Sequence, residues 1–277
     1  MGTRPRISLL AAALADKGFT GQVCGVFRQG INISAGEGKI LYLGSFEKPL
    51  SCIGVQLPAA WMTRILALAD AGDSVVAEKM KLVFARNQQM YLAIDLASSE
   101  TVDLALSAPV SSGARGRLQK ALSDARLADA IGLDWDAALE CVIEDLSRFA
   151  AGKRTDPFAA ISWLIGRGLG LTPAGDDILC GFGAGLAAAG EQELHDRFLA
   201  ELAKARRKRH TTTVSEAYLD AIAQGSVNEG ICTLLAAAEA DCDLSEPLRR
   251  ARAYGHTSGA DMLFGLLLGL GGTALHA

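Results

Sequence analysis

The sequence predicts an α+β protein: a β-rich N-terminal part, built as a small barrel or a folded antiparallel sheet, followed by an α-helical part. Three observations point there. From Gly21 to about Ala108, short apolar runs alternate with glycine-bearing turns. Beyond Pro109 the apolar residues recur at helical spacing. Two of those helical stretches, 84 positions apart, also share one pattern. Gly175-Asp-Asp177-Ile-Leu179-Cys-Gly181-Phe-Gly-Ala-Gly185-Leu186 and Gly259-Ala-Asp261-Met-Leu263-Phe-Gly265-Leu-Leu-Leu-Gly269-Leu270 both read G-x-D-x-L-x-G-x-x-x-G-L.

At the N-terminus Arg4 and Arg6 precede an apolar run from Ile7 to Leu14, and Ala13-Leu-Ala15 imitates a signal-peptide cleavage site. The run is short and alanine-rich, and an amphipathic first helix ending at Gly18 accounts for it as well. Strands are expected over Val23–Arg28, Ile31–Ser34, Lys39–Leu43 and Cys52–Gln56. Pro58 opens a helix running through Ala69, closed by Ala71-Gly72-Asp73. More strands follow at Ser74–Ala77, Lys81–Ala85, Met90–Leu96 and Thr101–Leu106. One helix among so many strands leaves no room for a series of parallel βαβ units.

Pro109-Val-Ser-Ser-Gly113 reads as a linker, which divides the chain into a β-rich domain over 1–110 and a helical domain over 111–277. Helices are expected at Leu118–Ala130, Trp135–Ala151 and Phe158–Ile165, the last started by Asp156-Pro157. Ile178–Ala189, Glu193–Arg209, Val214–Ala223, Ile231–Ala240, Glu246–Ala253 and Asp261–Leu270 complete the series. The end of the chain, from Met262 to Ala277, carries no acidic or basic side chain beyond His276. It is too short and too rich in glycine to span a bilayer, and reads as a buried terminal helix.

The composition narrows the function classes. Half of the 277 residues are apolar, and the mean hydropathy is +0.23. Much of that excess is Ala, Leu and Gly, which suits tightly packed helices. A net charge of −4 argues against general nucleic-acid binding. The six cysteines are scattered without a C-x-x-C pair, so neither a disulfide framework nor a zinc knuckle is expected. Cys180 sits in a glycine-rich helix and reads as a small packing residue. Four scattered histidines add no metal site, so the expected compartment is a reducing cytoplasm, with no membrane partner.

The repeated pattern is where chemistry is expected. Asp, Gly and Gly at i, i+4 and i+8 lie along one stripe of a helix, and a glycine stripe lets a second backbone come close. The aspartate falls in the first turn, where the helix dipole favours a carboxylate. Close packing alone explains the glycines. It explains less well the polar lead-ins, Thr172-Pro-Ala-Gly-Asp176-Asp177 and His256-Thr257-Ser258-Gly-Ala-Asp261. The expected arrangement is two helices packed through glycine, each bringing one acid and a hydroxyl-rich lead-in to a common cleft.

Each lead-in has a structural reading beside the functional one. Ahead of the first copy, the glycines of Gly166-Arg-Gly168-Leu-Gly170-Leu-Thr172-Pro-Ala-Gly175 can turn backbone N–H groups toward a phosphate or carboxylate. No strand clearly precedes them and no Walker lysine follows, which excludes a dinucleotide fold and a P-loop. Paired carboxylates suit Mg²⁺, an amide N–H₂ donor or a backbone cap. Asp176 and Asp177 point about 100° apart on a helix and serve different partners, Asp177 being the one that repeats. Ser258 and Asp261 have the spacing of a capping box, and His256 just outside the helix can act as general acid or base. Arg206-Arg-Lys-Arg-His210 closes a helix, where cations are favoured. Thr211, Thr212 and Ser215 then cap the next helix or line a polar pocket with the acids.

Taken together, Gly-Leu-Thr172-Pro-Ala-Gly-Asp-Asp177, Thr211-Thr-Thr-Val-Ser215 and Gly255-His-Thr-Ser-Gly-Ala-Asp261 resemble the AllH family, named for a subunit associated with oxamate carbamoyltransferase. All three blocks occur in the family's order; the β-rich part is similar only in general layout. The resemblance implies a role in allantoin breakdown, where oxalurate and phosphate give oxamate and carbamoyl phosphate. It also implies partner subunits. On that reading Gly168, Gly170, Thr172, Gly175, Asp176, Thr211, Thr212, Ser215, Thr257 and Ser258 hold the substrate or its phosphate. Asp177 and Asp261 hold the carbamoyl N–H₂, with His256 as a proton carrier. No cofactor is firmly implied, though Mg²⁺ at the two acids stays open. So do a non-catalytic docking subunit and a Mg²⁺-dependent hydrolase.

Overall fold

The computed structural model describes residues 4–106, 108–153 and 156–272, so positions 273–277 of the expected terminal helix lie outside the described residues. The chain divides into two compact units, Met1–Leu104 and Ala105–Ala277.

The first unit is one nine-stranded sheet with two helices. β1 (Arg6–Ser8) runs into α1 (Leu9–Lys17), then come β2 (Phe19–Phe27), β3 (Gly30–Ser34), β4 (Ile40–Ser45) and β5 (Gly54–Leu57). After α2 (Ala59–Leu68) follow β6 (Ser74–Glu78), β7 (Lys81–Arg86), β8 (Gln89–Asp95) and β9 (Glu100–Val102). The strand order is β8-β7-β6-β2-β3-β4-β5-β1-β9. The sheet is therefore the folded alternative, with β8 and β9 as its edges. Most neighbours are antiparallel, but β4 pairs with β5 and β1 with β9 in parallel. Neither parallel pair is a βαβ unit: β4 and β5 are joined by a loop, and β1 and β9 lie at opposite ends of the unit's sequence. One core collects Ile7, Val23, Ile33, Leu43, Val75 and Phe84 from the strands with Ala11, Ala15, Met62 and Ile65 from the two helices. Ser8 ends β1 and caps α1, accepting from Ala11 N at 3.3 Å, so the predicted first helix starts only at Leu9.

The second unit is helical. It comprises α3 (Ser112–Asp124), α4 (Ala137–Ala150), α5 (Phe158–Leu164), α6 (Ala174–Ala188), α7 (Gln192–Arg206), α8 (Thr213–Ala223), α9 (Glu229–Glu239), α10 (Ser245–Arg252) and α11 (Ser258–Gly269). Three boundaries differ from expectation for local reasons. α3 starts inside the predicted linker because Ser111 Oγ accepts from Ala114 N. It ends before Arg126, whose left-handed φ of 47° separates it from a 3-10 turn at Leu127–Asp129. α6 starts four residues before Ile178, because Pro173 O accepts from both Asp176 N and Asp177 N. The glycines of the lead-in had masked this first turn.

α6 and α11 form the centre. Every residue of α6 but Ala187 is buried, as is every residue of α11 but Ser258. Phe149, Phe182, Phe198, Leu263 and Leu266 are among the fully enclosed side chains around them. A helix buried on all sides needs no polar face, which is why this apolar pair suits a protein interior. Among the described residues, no helix is long and apolar enough to cross a membrane.

Candidate functional site

The glycine stripes of α6 and α11 face each other. A Cβ on Gly181 would overlap the Met262 carbonyl, with its carbon at 2.7 Å and Leu266 N at 2.9 Å. A Cβ on Gly265 would overlap the Ile178 carbonyl, 2.8 Å from Phe182 N. Met262 and Leu266 stand 84 positions after Ile178 and Phe182, as Gly265 does after Gly181, so the two copies touch through the same surface. One turn on, a Cβ on Gly185 would be 2.7 Å from Gly269 Cα, and one on Gly269 2.8 Å from Gly185 Cα. Equivalent residues meet, so the helices run in the same direction with their N-termini together. This is a local two-fold within one chain, of the self-complementary kind.

The stripe continues one turn back to Asp177 and Asp261. They are 1 % and 0 % exposed, which for two carboxyl groups calls for compensation. Asp261 Oδ1 accepts from Gly132 N at 2.8 Å, and the Thr257 hydroxyl also favours its charged form. Burial outweighs both and pushes the Asp261 carboxyl up to about 6. Burial likewise holds Asp177 well above the usual carboxylate range, and the facing Asp261 adds to the effect. The hydroxyls of Ser258 and Thr172 act the other way on Asp177. Those two hydroxyls are 3.0 Å apart, joining the lead-in of one copy to the first turn of the other. Each acid keeps one buried oxygen, Oδ2, without a hydrogen-bond partner among the described residues.

Asp176 does something else. Its Oδ1 accepts from Gly166 N at 2.9 Å, and its Oδ2 accepts from Ser215 Oγ at 2.7 Å and from Thr211 Oγ1. It thus ties the glycine loop to the start of α8. Thr212 is the N-cap of α8, accepting from Ser215 N at 3.0 Å while its hydroxyl donates to Leu171 O. The loop between α5 and α6 needs its glycines: Gly166, Gly168 and Gly170 have φ of +70°, +113° and +94°. Gly175 passes so close to the end of α5 that a Cβ would overlap the Leu164 carbonyl. Several of the loop's N–H groups serve the loop itself, Arg167 N donating to Leu164 O and Gly175 N to Arg167 O. Leu169, at its tip, is 93 % exposed.

The expected residues therefore fall into two groups. Asp177, Asp261, Thr172, Thr257 and Ser258 gather where the helix N-termini join. Asp176, Thr211, Thr212 and Ser215 form a hydrogen-bonded clamp beside it. Gly168, Gly170 and Gly175 shape the loop between the groups. His256 is exposed and has no hydrogen-bond partner among the described residues. Ser258 does not cap α11; Thr257 occupies the N-cap position without a side-chain capping bond. Gly132 was not anticipated. It sits between predicted helices with no chemical side chain to mark it, yet a Cβ there would lie 2.9 Å from Thr257 Oγ1 and 3.1 Å from Ala174 Cβ. Among the described residues, no group of three or more His, Cys, Asp or Glu side chains converges as a metal site would require.

Residues 164–270 match the model of the family described as oxamate carbamoyltransferase subunit AllH. The resemblance carried by the three sequence blocks is thereby borne out over this segment, which contains both glycine-striped helices, the glycine loop and the start of α8. No curated protein and no solved structure matches the chain.

Proposed function

We propose that this chain is a subunit of an oxamate carbamoyltransferase-related enzyme and that it holds the carbamoyl-bearing substrate at the joined N-termini of α6 and α11. The family match supports the first part, and its description as a subunit supports partner chains. One observation carries the second: Asp177 and Asp261 are buried where the two helix N-termini join, each with an oxygen that nothing among the described residues satisfies. Native proteins satisfy nearly all buried polar atoms, so two such carboxyl oxygens at the joined helix ends support a ligand group there.

In the reaction the resemblance implies, a phosphate oxygen bonds to the ureido carbonyl carbon of oxalurate. The carbon–nitrogen bond to the oxamate half breaks, and that nitrogen takes up the proton phosphate loses. The protein's work is orientation and charge stabilisation. Asp177 and Asp261 hold the carbamoyl group between them, which fixes the plane of the reacting group. Thr172, Thr257 and Ser258 bond the adjoining oxygens. The N–H groups around Gly168 and Gly170, with the positive ends of two helices nearby, favour the anionic phosphate. His256 stands at the solvent side as a proton carrier, and Asp176 with Thr211, Thr212 and Ser215 keeps the loop in place.

Thermal unfolding of the purified chain with oxalurate, oxamate, carbamoyl phosphate and phosphate tests this reading. A ligand at about 100 times its Kd stabilises the fold by roughly 2.7 kcal/mol. Stabilisation by oxamate or carbamoyl phosphate that disappears in Asp177→Ala and Asp261→Ala supports the site. Equal stabilisation of both variants and the parent chain removes it from these acids.

A further inference from the structure

We infer that Asp177 and Asp261 hold a single proton between them, so that the pair presents one ionised and one protonated carboxyl and takes the neutral amide end of a ligand. This deepens the function proposed above and rests on it for the ligand. The argument starts from charge. Two carboxyl groups that are 1 % and 0 % exposed lie one turn before the glycine crossing of α6 and α11, close enough for the Asp261 charge to act on Asp177. Among the described residues neither makes an ion pair with Lys, Arg or His. The cations of the packed elements are engaged elsewhere or stand in solvent: Arg126 of the 3-10 turn pairs with Asp129, and Arg250 and Arg252 of α10 are exposed. α5 has no titratable side chain. Arg206 of α7 pairs with Glu216 of α8, and Arg249 of α10 with Glu246. Arg148 of α4 pairs with Glu144. Arg115 of α3 reaches Leu270 O, at the far end of α11. Asp176 adds a further acid and His256 stays in solvent. Two like charges so placed do not both ionise.

The donors around the pair fit one negative charge. Gly132 N and the Thr257 hydroxyl serve Asp261, and Ser258 and Thr172 serve Asp177. The two Oδ2 atoms remain. With one proton, one carboxyl donates and the other accepts. The complementary ligand group is planar and carries a C=O beside an N–H: a primary amide, a urea or a carbamoyl group. A free divalent cation fits poorly, because it would expel the proton and find only two carboxylates. Thr172 Oγ1 and Ser258 Oγ, half-buried and in mutual contact, are the groups a ligand would part to reach the pair.

Infrared spectroscopy of the full chain at pH 7 reads the proton directly, as a protonated-carboxyl band that exchanges in D₂O. The band is expected in the parent chain, in Asp176→Asn and in Asp261→Asn, where burial still holds the Asp177 proton, and lost in Asp177→Asn, which leaves only Asp261 with its pKa of about 6. The parent measurement needs no variant to fold, and circular dichroism checks those that are used. Calorimetry with oxamate, and separately with Mg²⁺ alone, reads the ligand. Oxamate affinity falling about ten-fold or more in either asparagine variant, as when a dry charge-assisted hydrogen bond is lost, supports the inference. So does the absence of Mg²⁺ binding. A parent chain without the band overturns the shared proton even where oxamate binds, and leaves the proposed substrate site standing. A band in a chain that binds neither oxamate nor oxalurate overturns the ligand assignment, and with it the proposed substrate site.

Discussion

Gly181 and Gly265 are equivalent partners in one helix crossing, each lying against the backbone that is the counterpart of the one the other touches. Alanine is better than glycine in a helix by about 0.5–1 kcal/mol. Here the added methyl would meet a carbonyl group and a backbone nitrogen, neither of which can turn aside as a side chain can. Forcing the helices apart costs roughly 1–3 kcal/mol or more. Gly181→Ala and Gly265→Ala are therefore expected to lower stability by roughly 1–2 kcal/mol net. Gly116, in α3, has open space where its Cβ would stand. Gly116→Ala is expected to raise stability by up to about 1 kcal/mol. Denaturant unfolding of the three variants measures both effects. A gain in the two crossing variants equal to that of Gly116→Ala would mean that the helices do not cross through glycine.

The glycine spacing made this crossing legible in the sequence, because i, i+4, i+8 defines one stripe whatever lies against it. The alternating apolar pattern marked the strands, and β6, β7 and β8 begin within a residue of their expected places. The pairing was not legible. β1 is three residues long and merges with the run that becomes α1, and its parallel neighbour β9 is far away in sequence. Nor did sequence separate the two acids of Asp176-Asp177 by what they bond. The i+4 repeat picked out Asp177, but the clamp on Asp176 depends on Ser215 and Thr211 arriving from another helix start. Gly132 left no signal, since its contribution is a backbone N–H.

Stability should fall as pH rises through the carboxyl range. Folding raises the Asp261 pKa to about 6 from an ordinary value near 3.8. The folded chain then binds that proton more tightly than the unfolded chain does. The resulting stabilisation is complete below about pH 4 and lost as pH rises through 6, amounting to about 3 kcal/mol. Asp177 is shifted in the same direction. Asp261→Asn keeps an acceptor for Gly132 N and removes the charge, so it is expected to be at least as stable as the parent at pH 7 and to show a flatter pH profile. Urea unfolding at pH 4, 5, 6 and 7 reads the slope; a parent chain that gains stability across this range relative to Asp261→Asn would contradict the buried carboxyl.

Asp176 is expected to matter for stability and not for ligand affinity. Its carboxyl accepts from Gly166 N, Ser215 Oγ and Thr211 Oγ1, which accounts for both oxygens. Asp176→Ala strands the buried Ser215 hydroxyl and a loop N–H, each costing about 1–3 kcal/mol when left unpaired. A loss of roughly 3 kcal/mol or more is expected, with the glycine loop loosened where it meets α8. Asp176→Asn keeps an acceptor for Gly166 N, and the two hydroxyls can rotate to accept from the new N–H₂, so its loss should be about 1 kcal/mol. Thr211→Val, which removes one of the three donors, should cost about 1 kcal/mol as well. Calorimetry then separates the clamp from the joined helix ends. A folded Asp176→Asn chain should bind oxamate as the parent does; if its affinity falls as far as that of Asp177→Asn, Asp176 belongs with the ligand-holding acids.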